Sequence, residues 1–216
     1  MSVGLTVCPL SPDYSELAFL FLEIKSMSRL FLGCGINDRK YPSFINGKNV
    51  KEYHLWGHIL TRCYSKNSLA AKPTYIGCTV SDNFKNYSYF YEWCQSQIGF
   101  GLDGWHLDKD IIISGNKVYS EDTCVFVPQE INKFFTDRGA LRGKYPIGVN
   151  FDKPSGKYKA ECCVNGKSKN LGRFTTPEDA HAVYKTFKEA LCKETANKWR
   201  GQIDPRVYDA MMAWAV

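Results

Sequence analysis

No C-x2-C pair occurs in this chain of 216 residues, although it holds nine cysteines. Zinc fingers and ribbons depend on that spacing, because it sets two thiolates on one tetrahedral ion. The adjacent Cys162 and Cys163 cannot replace it, so structural zinc is not expected. The sequence also shows no secretory leader and no long apolar run. The nearest candidate, Leu17–Ile24, is too short to span a membrane, follows no basic segment and has Glu16 and Glu23 at its ends. Disulfide frameworks belong to small secreted proteins, so the thiols are expected to be free in a reducing cytoplasm, with no membrane partner.

What is present is a globular composition, 44% hydrophobic and 14% aromatic. The net charge of +6 is unevenly placed. Between Arg138 and Arg200 fourteen Lys and Arg residues face six Asp and Glu, a surplus of eight, which leaves −2 for the rest of the chain. A basic block beside a near-neutral remainder points to a polyanionic partner.

Residues 1–28 read as an appendage broken by Pro9, Pro12 and Asp13, and Met1 and Met27 are both candidate translation starts. Lys51–Tyr64 has Leu55, Trp56, Ile59, Leu60 and Cys63 on one helical stripe. His54 and His58 sit four apart on this helix with no third ligand in view, an ordinary helix face. Pro73–Val80 reads as turn and strand. Asn83–Gln97 reads as one helix, with Phe84, Tyr87, Tyr91 and Cys94 on its core face. Trp105–Ile113 reads as a strand, Ser114-Gly115-Asn116 as a turn and Thr123–Val127 as a second strand. Pro128 suits the first turn of a helix running to about Phe135. Residues 137–144, with two glycines and three basic residues, suit a linker, which predicts that 145–216 folds by itself.

Beyond that linker, Tyr145–Asp152, Lys157–Asn165 and Lys167–Phe174 read as three short strands, turned by Pro154-Ser155-Gly156 and Asn165-Gly166. Thr176-Pro177-Glu178-Asp179 opens a helix: Thr caps it, Pro takes the first position, and the acids suit the positive end of the dipole. In the second strand Tyr158, Ala160, Cys162 and Val164 share one side and Lys157, Lys159, Glu161 and Cys163 the other. The helix takes the apolar side and leaves the other free. Leu171 and Phe174 break strict alternation, which places a bulge or strand end at Gly172. Asp204–Trp214 offers Val207, Met211 and Trp214 as a docking stripe.

Gly148-Val149, then Gly156-Lys157-Tyr158-Lys159-Ala160-Glu161, then the run from Leu171-Gly172-Arg173-Phe174 to Ala182-Val183-Tyr184 resemble the Apetala/ethylene-response-factor DNA-binding domain and its relatives in phage endonucleases and integrases. The resemblance covers roughly 55 residues and implies a sheet that enters the major groove of double-stranded DNA. It assigns Asn150, Lys153, Lys157, Lys159, Lys167, Lys169 and Arg173 to the DNA. Where the plant domains read bases with Arg and Trp, this chain mostly has Asn, Lys or Ser. Lysine binds phosphate as a point charge, so modest sequence specificity is expected.

Leu107-Asp108-Lys109-Asp110-Ile111, Asn116-Lys117-Val118-Tyr119, Cys124–Pro128 and Ile131-Asn132 resemble a divergent HNH, or His-Me finger, segment of small phage endonucleases. Trp56, Arg62-Cys63-Tyr64 and Pro73-Thr74-Tyr75 with Gly77-Cys78 extend the likeness upstream. The chain from about residue 30 therefore resembles a phage homing endonuclease. The implied fold class is α+β: a divergent ββα-metal domain over 29–136, then a three-stranded antiparallel sheet on one helix with a C-terminal helix over 145–216. The implied activity is hydrolysis of DNA phosphodiester bonds with Mg2+ or Mn2+. His106, Asp108, Asp110 and Asn132 are the expected catalytic residues, and Asp108, Asp110 and Asn132 the expected metal ligands, with both aspartates on one strand face. The motif's Asp-His pair stands here as Asp108-Lys109-Asp110. The alternative is a catalytically inactive, sequence-tolerant DNA-binding or regulatory protein, and a monomer is expected in either case.

Overall fold

The computed structural model of the protein describes residues 30–135 and 144–216. The expected appendage at 1–28 and all but Lys144 of the expected linker lie outside the described residues. The class is mixed α+β: seven α-helices among the described residues, with short two-stranded pairs and one three-stranded antiparallel sheet. Among the described residues no helix is long and apolar enough to cross a membrane. The chain divides into two compact units, with the division between Glu92 and Trp93.

In the first unit, Phe44–Ile45 (β1) and Lys48–Asn49 (β2) pair antiparallel across Asn46-Gly47. Both turn residues have positive φ, +49° and +78°, as a two-residue hairpin turn requires. Lys51–Tyr64 (α1) buries Trp56, Ile59, Leu60 and Cys63, the expected stripe, with Leu55 at its half-exposed margin. Lys66–Ala71 (α2), a single 3-10 turn at Pro73–Tyr75 and Thr79–Val80 (β3) follow. The helix expected over 83–97 is two helices, Asp82–Lys85 (α3) and Tyr87–Ser96 (α4). The break at Asn86 has a tertiary cause. Ile36 lies alongside as a parallel bridge, its N–H donating to the Lys85 carbonyl at 2.8 Å and its carbonyl accepting from Tyr87 at 2.9 Å. Ser81 caps α3 by accepting the Phe84 N–H. Phe84, Tyr87 and Phe90 are buried, and the Trp56 indole donates to the Phe84 carbonyl at 2.9 Å.

In the second unit, Trp105–Asp108 (β4) pairs antiparallel with Val125–Pro128 (β6), and Gln129–Phe135 (α5) follows at once. Val118–Tyr119 (β5) lies in the long connection between them. The strand expected to reach Ile113 ends at Asp108, because one Asp108 carboxylate oxygen accepts the N–H groups of Asp110 and Ile111 and turns the chain. Val149–Asp152 (β7), Lys157–Val164 (β8) and Lys167–Phe174 (β9) form the sheet β7-β8-β9. Its register slips after Ala160: Ala160 faces Gly172 and Glu161 faces Asn170, so Leu171 is the extra residue of a bulge. The bulge lets both Leu171 and Phe174 pack against Val149, Ala160 and Ala180.

The long helix Pro177–Lys198 (α6) starts as expected, with the Thr176 hydroxyl accepting the Asp179 N–H and Pro177 at the first position. Its two halves serve different cores. Ala180 and Tyr184 are buried in the half that lies on the sheet. Cys192 and Ala196 belong to a second cluster with Ile111, Val125, Val127 and Ile131, joined by Ile203, Val207 and Met211 from the segment leading into and forming Pro205–Ala213 (α7). One apolar core thus spans the boundary that composition placed at 137–144, and residues 93–216 group as one unit. A stretch with two glycines and three basic residues reports local chain character, not which helix faces meet beyond it.

Candidate nucleic-acid interface

Cross-strand neighbours in an antiparallel sheet share a face, so the register assigns each side chain to one side. Tyr158, Ala160, Cys162 and Val164 lie on the helix side. Lys157, Lys159, Glu161 and Cys163 lie on the other, with their partners Asp152, Asn150, Arg173, Asn170 and Ser168. On this open face Arg173 Nε donates to Asp152 Oδ2 at 2.5 Å, and the Ser155 hydroxyl donates to the same carboxylate. Lys159 Nζ pairs with Glu161 Oε1 at 2.5 Å, and Ser168 and Asn150 also donate to Glu161. The Arg173 hydrogen bond first, then that from Ser155, holds the Asp152 carboxyl below its ordinary value. The Lys159 hydrogen bond has the leading effect in the same direction on Glu161. Both acids stay ionised and hold the cations in place over the strands, where a phosphate can compete for them. Lys153 and Lys157 are exposed at the β7–β8 turn.

Two of the seven expected DNA-facing residues are on the other side. Lys169 is paired with buried Cys162, and Lys167 with Val164. The Lys169 ammonium lies 4.7 Å from the ring centroid of Phe187 on α6. The two-residue turn at Asn165-Gly166 causes this, since it sets Lys167 directly opposite Val164 and every second residue follows suit.

The strand–loop–strand–helix unit carries the residues expected to be catalytic without making a cation site of them. His106 is exposed on β4, opposite Val127, and Asn132 is half-buried on α5. Asp110 lies past the strand end, so the two aspartates do not share a strand face. Asp110 is paired with Lys109, whose side chain turns inward. Lys109 is 6% exposed, donates to Asp110 and to the Asn116 carbonyl, and has its ammonium 5.6 Å from the Tyr119 ring centroid. Asn116 returns a hydrogen bond to the Lys109 carbonyl at 2.8 Å. These groups tie the loop together. Asp108 is spent on backbone N–H donors and Asp110 on an ammonium, so as arranged they do not fit a divalent ion. Among the described residues no group of three His, Cys, Asp or Glu side chains is placed to hold a metal. Burial pushes the Cys124 thiol up to about 12 and that of Cys192 to about 11, which removes both as thiolate nucleophiles near neutral pH. In the first unit, the His54 and His58 rings lie 4.1 Å apart, and burial, then the neighbouring His54, lowers His58.

The role of Asp108 can be tested by pH. Burial pushes its carboxyl up, against the backbone N–H groups of Asp110 and Ile111, which pull it down. A folded-state value above the unfolded one gives a contribution complete below the unfolded carboxylate range and lost as pH rises through the folded value. Asp108→Asn keeps the accepting oxygen and removes the charge. It is expected to raise the urea midpoint at about pH 7, with the gain shrinking toward zero near about pH 4. A midpoint difference that is flat across this range, or a loss at neutral pH, contradicts a carboxyl held above its ordinary value by burial.

No protein-family model, curated protein or solved structure matches the chain.

Proposed function

We propose that the protein acts on double-stranded DNA, holding the duplex on the open face of β7–β8–β9 in the manner of the phage homing endonucleases its sequence resembles. The observation that supports this best is a sheet that, among the described residues, is packed by a helix on one side only, with Lys157, Lys159, Arg173 and Asn150 across the other. A ribbon of this width suits a major groove about 12 Å wide. Paired carboxylates pre-orient the arginine and one lysine, and phosphate oxygens take over those hydrogen bonds on binding. Most of these cations are point charges on lysine, so the contacts position the duplex and discriminate weakly among sequences. Replacing Lys157, Lys159 and Arg173 together by Ala is expected to weaken duplex binding about 10–100-fold and to reduce the slope of log K against log salt by about 2.7, alike on unrelated sequences. Unchanged affinity and slope would remove this face from the reading.

A second reading, cleavage of the bound duplex by a Mg2+- or Mn2+-dependent endonuclease, is favoured by the order β4–β6–α5 with His106 on its first strand and Asn132 on its helix, and it requires Asp108 and Asp110 to give up the N–H and ammonium partners that occupy them. Supercoiled plasmid incubated with the protein and Mg2+, Mn2+ or EDTA separates the two. Metal-dependent nicked or linear product supports cleavage. Plasmid that is bound but left supercoiled with every metal leaves a non-catalytic, sequence-tolerant DNA-binding protein.

A further inference from the structure

We propose that a groove on the helix side of the sheet is a second nucleic-acid site, one that takes a single strand. The groove has a volume of about 1370 Å³ and runs between α5, the C-terminal half of α6 and the end of the β8–β9 hairpin. That exceeds the roughly 300–1,000 Å³ of small-molecule sites, which suits a short run of polymer.

Its chemistry is that of a single-strand channel. Two half-buried aromatic rings face it, Phe134 from α5 and Phe187 from α6. Each carries a cation: the Lys188 ammonium lies 4.2 Å from the Phe134 centroid and that of Lys169 4.7 Å from the Phe187 centroid. Lys133 and Lys198 add two more cations to the lining, against the acids Glu130 and Glu194. Glu130 is already held by Lys198 at 2.7 Å and by the Trp199 indole at 3.0 Å. Each ring has an ammonium over it that can swing to a phosphate and leave the ring face to a base, which gives an unpaired strand a surface on which any base stacks and a charge beside it. An acidic peptide would use the lysines but leave the rings without stacking partners.

The register gives the groove its relation to the duplex face. β9 is an edge strand, presenting Ser168 and Arg173 to the open side and Lys169 to the groove. A strand freed from a duplex on the open face can pass round this edge. The groove's cations and rings are separate from the cations of that face, and the groove stands whether or not duplex binding does.

The test uses the full-length protein with two fluorescent probes, a twelve-residue thymidine oligonucleotide and a duplex hairpin, read by anisotropy. Lys133→Glu with Lys188→Glu is expected to weaken oligonucleotide binding at least about tenfold and to leave the duplex within about twofold. Lys157→Ala, Lys159→Ala and Arg173→Ala together are expected to do the reverse. Lys133→Gln with Lys188→Gln guards against misfolding and is expected to give a smaller loss in the same direction, at an unchanged thermal midpoint. Oligonucleotide binding without duplex binding supports the groove while ending the proposal for the open face. The inference is overturned if the parent protein does not bind the oligonucleotide. It is overturned equally if folded groove variants bind it as the parent does or lose both probes alike, or if a poly-glutamate peptide displaces it more readily than unlabelled oligonucleotide.

Discussion

A fragment beginning at Lys144 is expected to lack a cooperative unfolding transition, although it contains the whole three-stranded sheet and its helix. The half of α6 that lies on the sheet would keep its partners. The other half would not: Cys192 and Ala196, with Ile203, Val207 and Met211, share their core with Ile111, Val125, Val127 and Ile131. Removing those four aliphatic side chains forfeits about 1.5–3 kcal/mol each, or about 6–12 kcal/mol in all. That is comparable to the whole stability of an ordinary domain, about 5–15 kcal/mol. The bridge from Glu130 to Lys198 and Trp199 disappears as well. Urea titrations of the fragment and the full chain, followed by tryptophan fluorescence and circular dichroism, decide the matter. A sigmoidal transition in the fragment with a midpoint near that of the full chain would show that the sheet and α6 do not depend on the strand–loop–strand–helix unit.

That dependence could not be read from the sequence, and comparison of particular residues shows why. Features set by local chemistry were legible. Asn165-Gly166 turns the hairpin, Thr176 caps α6, Pro177 starts it, and the clash of phase between Leu171 and Phe174 marked a bulge or strand end at Gly172, one residue from the bulge at Leu171. The Asn46-Gly47 hairpin carries the same kind of signal but is missing from the sequence reading, as is α2. Features set by distant partners were not legible. Asn86 breaks a helical pattern only because Ile36 bonds to the backbone on either side of it. Lys109 becomes the tie of a loop only because Asp110, Asn116 and Tyr119 close round it. The misplacement of Lys167 and Lys169 is a different case. Their side of the sheet follows from counting across a two-residue turn, so the information was present in the strand period and the turn length. The ending of β4 at Asp108 was also within reach, since a short carboxylate that can accept the N–H groups two and three residues on is a turn signal.

Replacing Gly148 by Ala is expected to be among the most damaging single-methyl additions in the second unit. Gly148 has φ +80°, a conformation that disfavours any residue with a Cβ. A Cβ built there lies 2.1 Å from Cδ2 and 2.3 Å from Cγ of Tyr184, a buried ring that cannot swing away without opening the sheet–helix core. Two further contacts limit the backbone's retreat. The Gly148 carbonyl accepts the Glu161 N–H at 2.8 Å, and the preceding Ile147 carbonyl oxygen lies 3.0 Å from His181 Nδ1 on the same helix. The cost combines about 1–2 kcal/mol for the backbone conformation with about 1–3 kcal/mol for overpacking. The two parts separate in a double-mutant cycle. Tyr184→Ala opens space for the new methyl, so the cost of Gly148→Ala in that background should fall to the backbone part alone. Urea midpoints of the four proteins measure this. If Gly148→Ala costs the same with Tyr184 present and absent, the close approach of β7 to α6 is not what requires glycine. The sheet then has a different anchor on α6 from the one that Tyr184 provides.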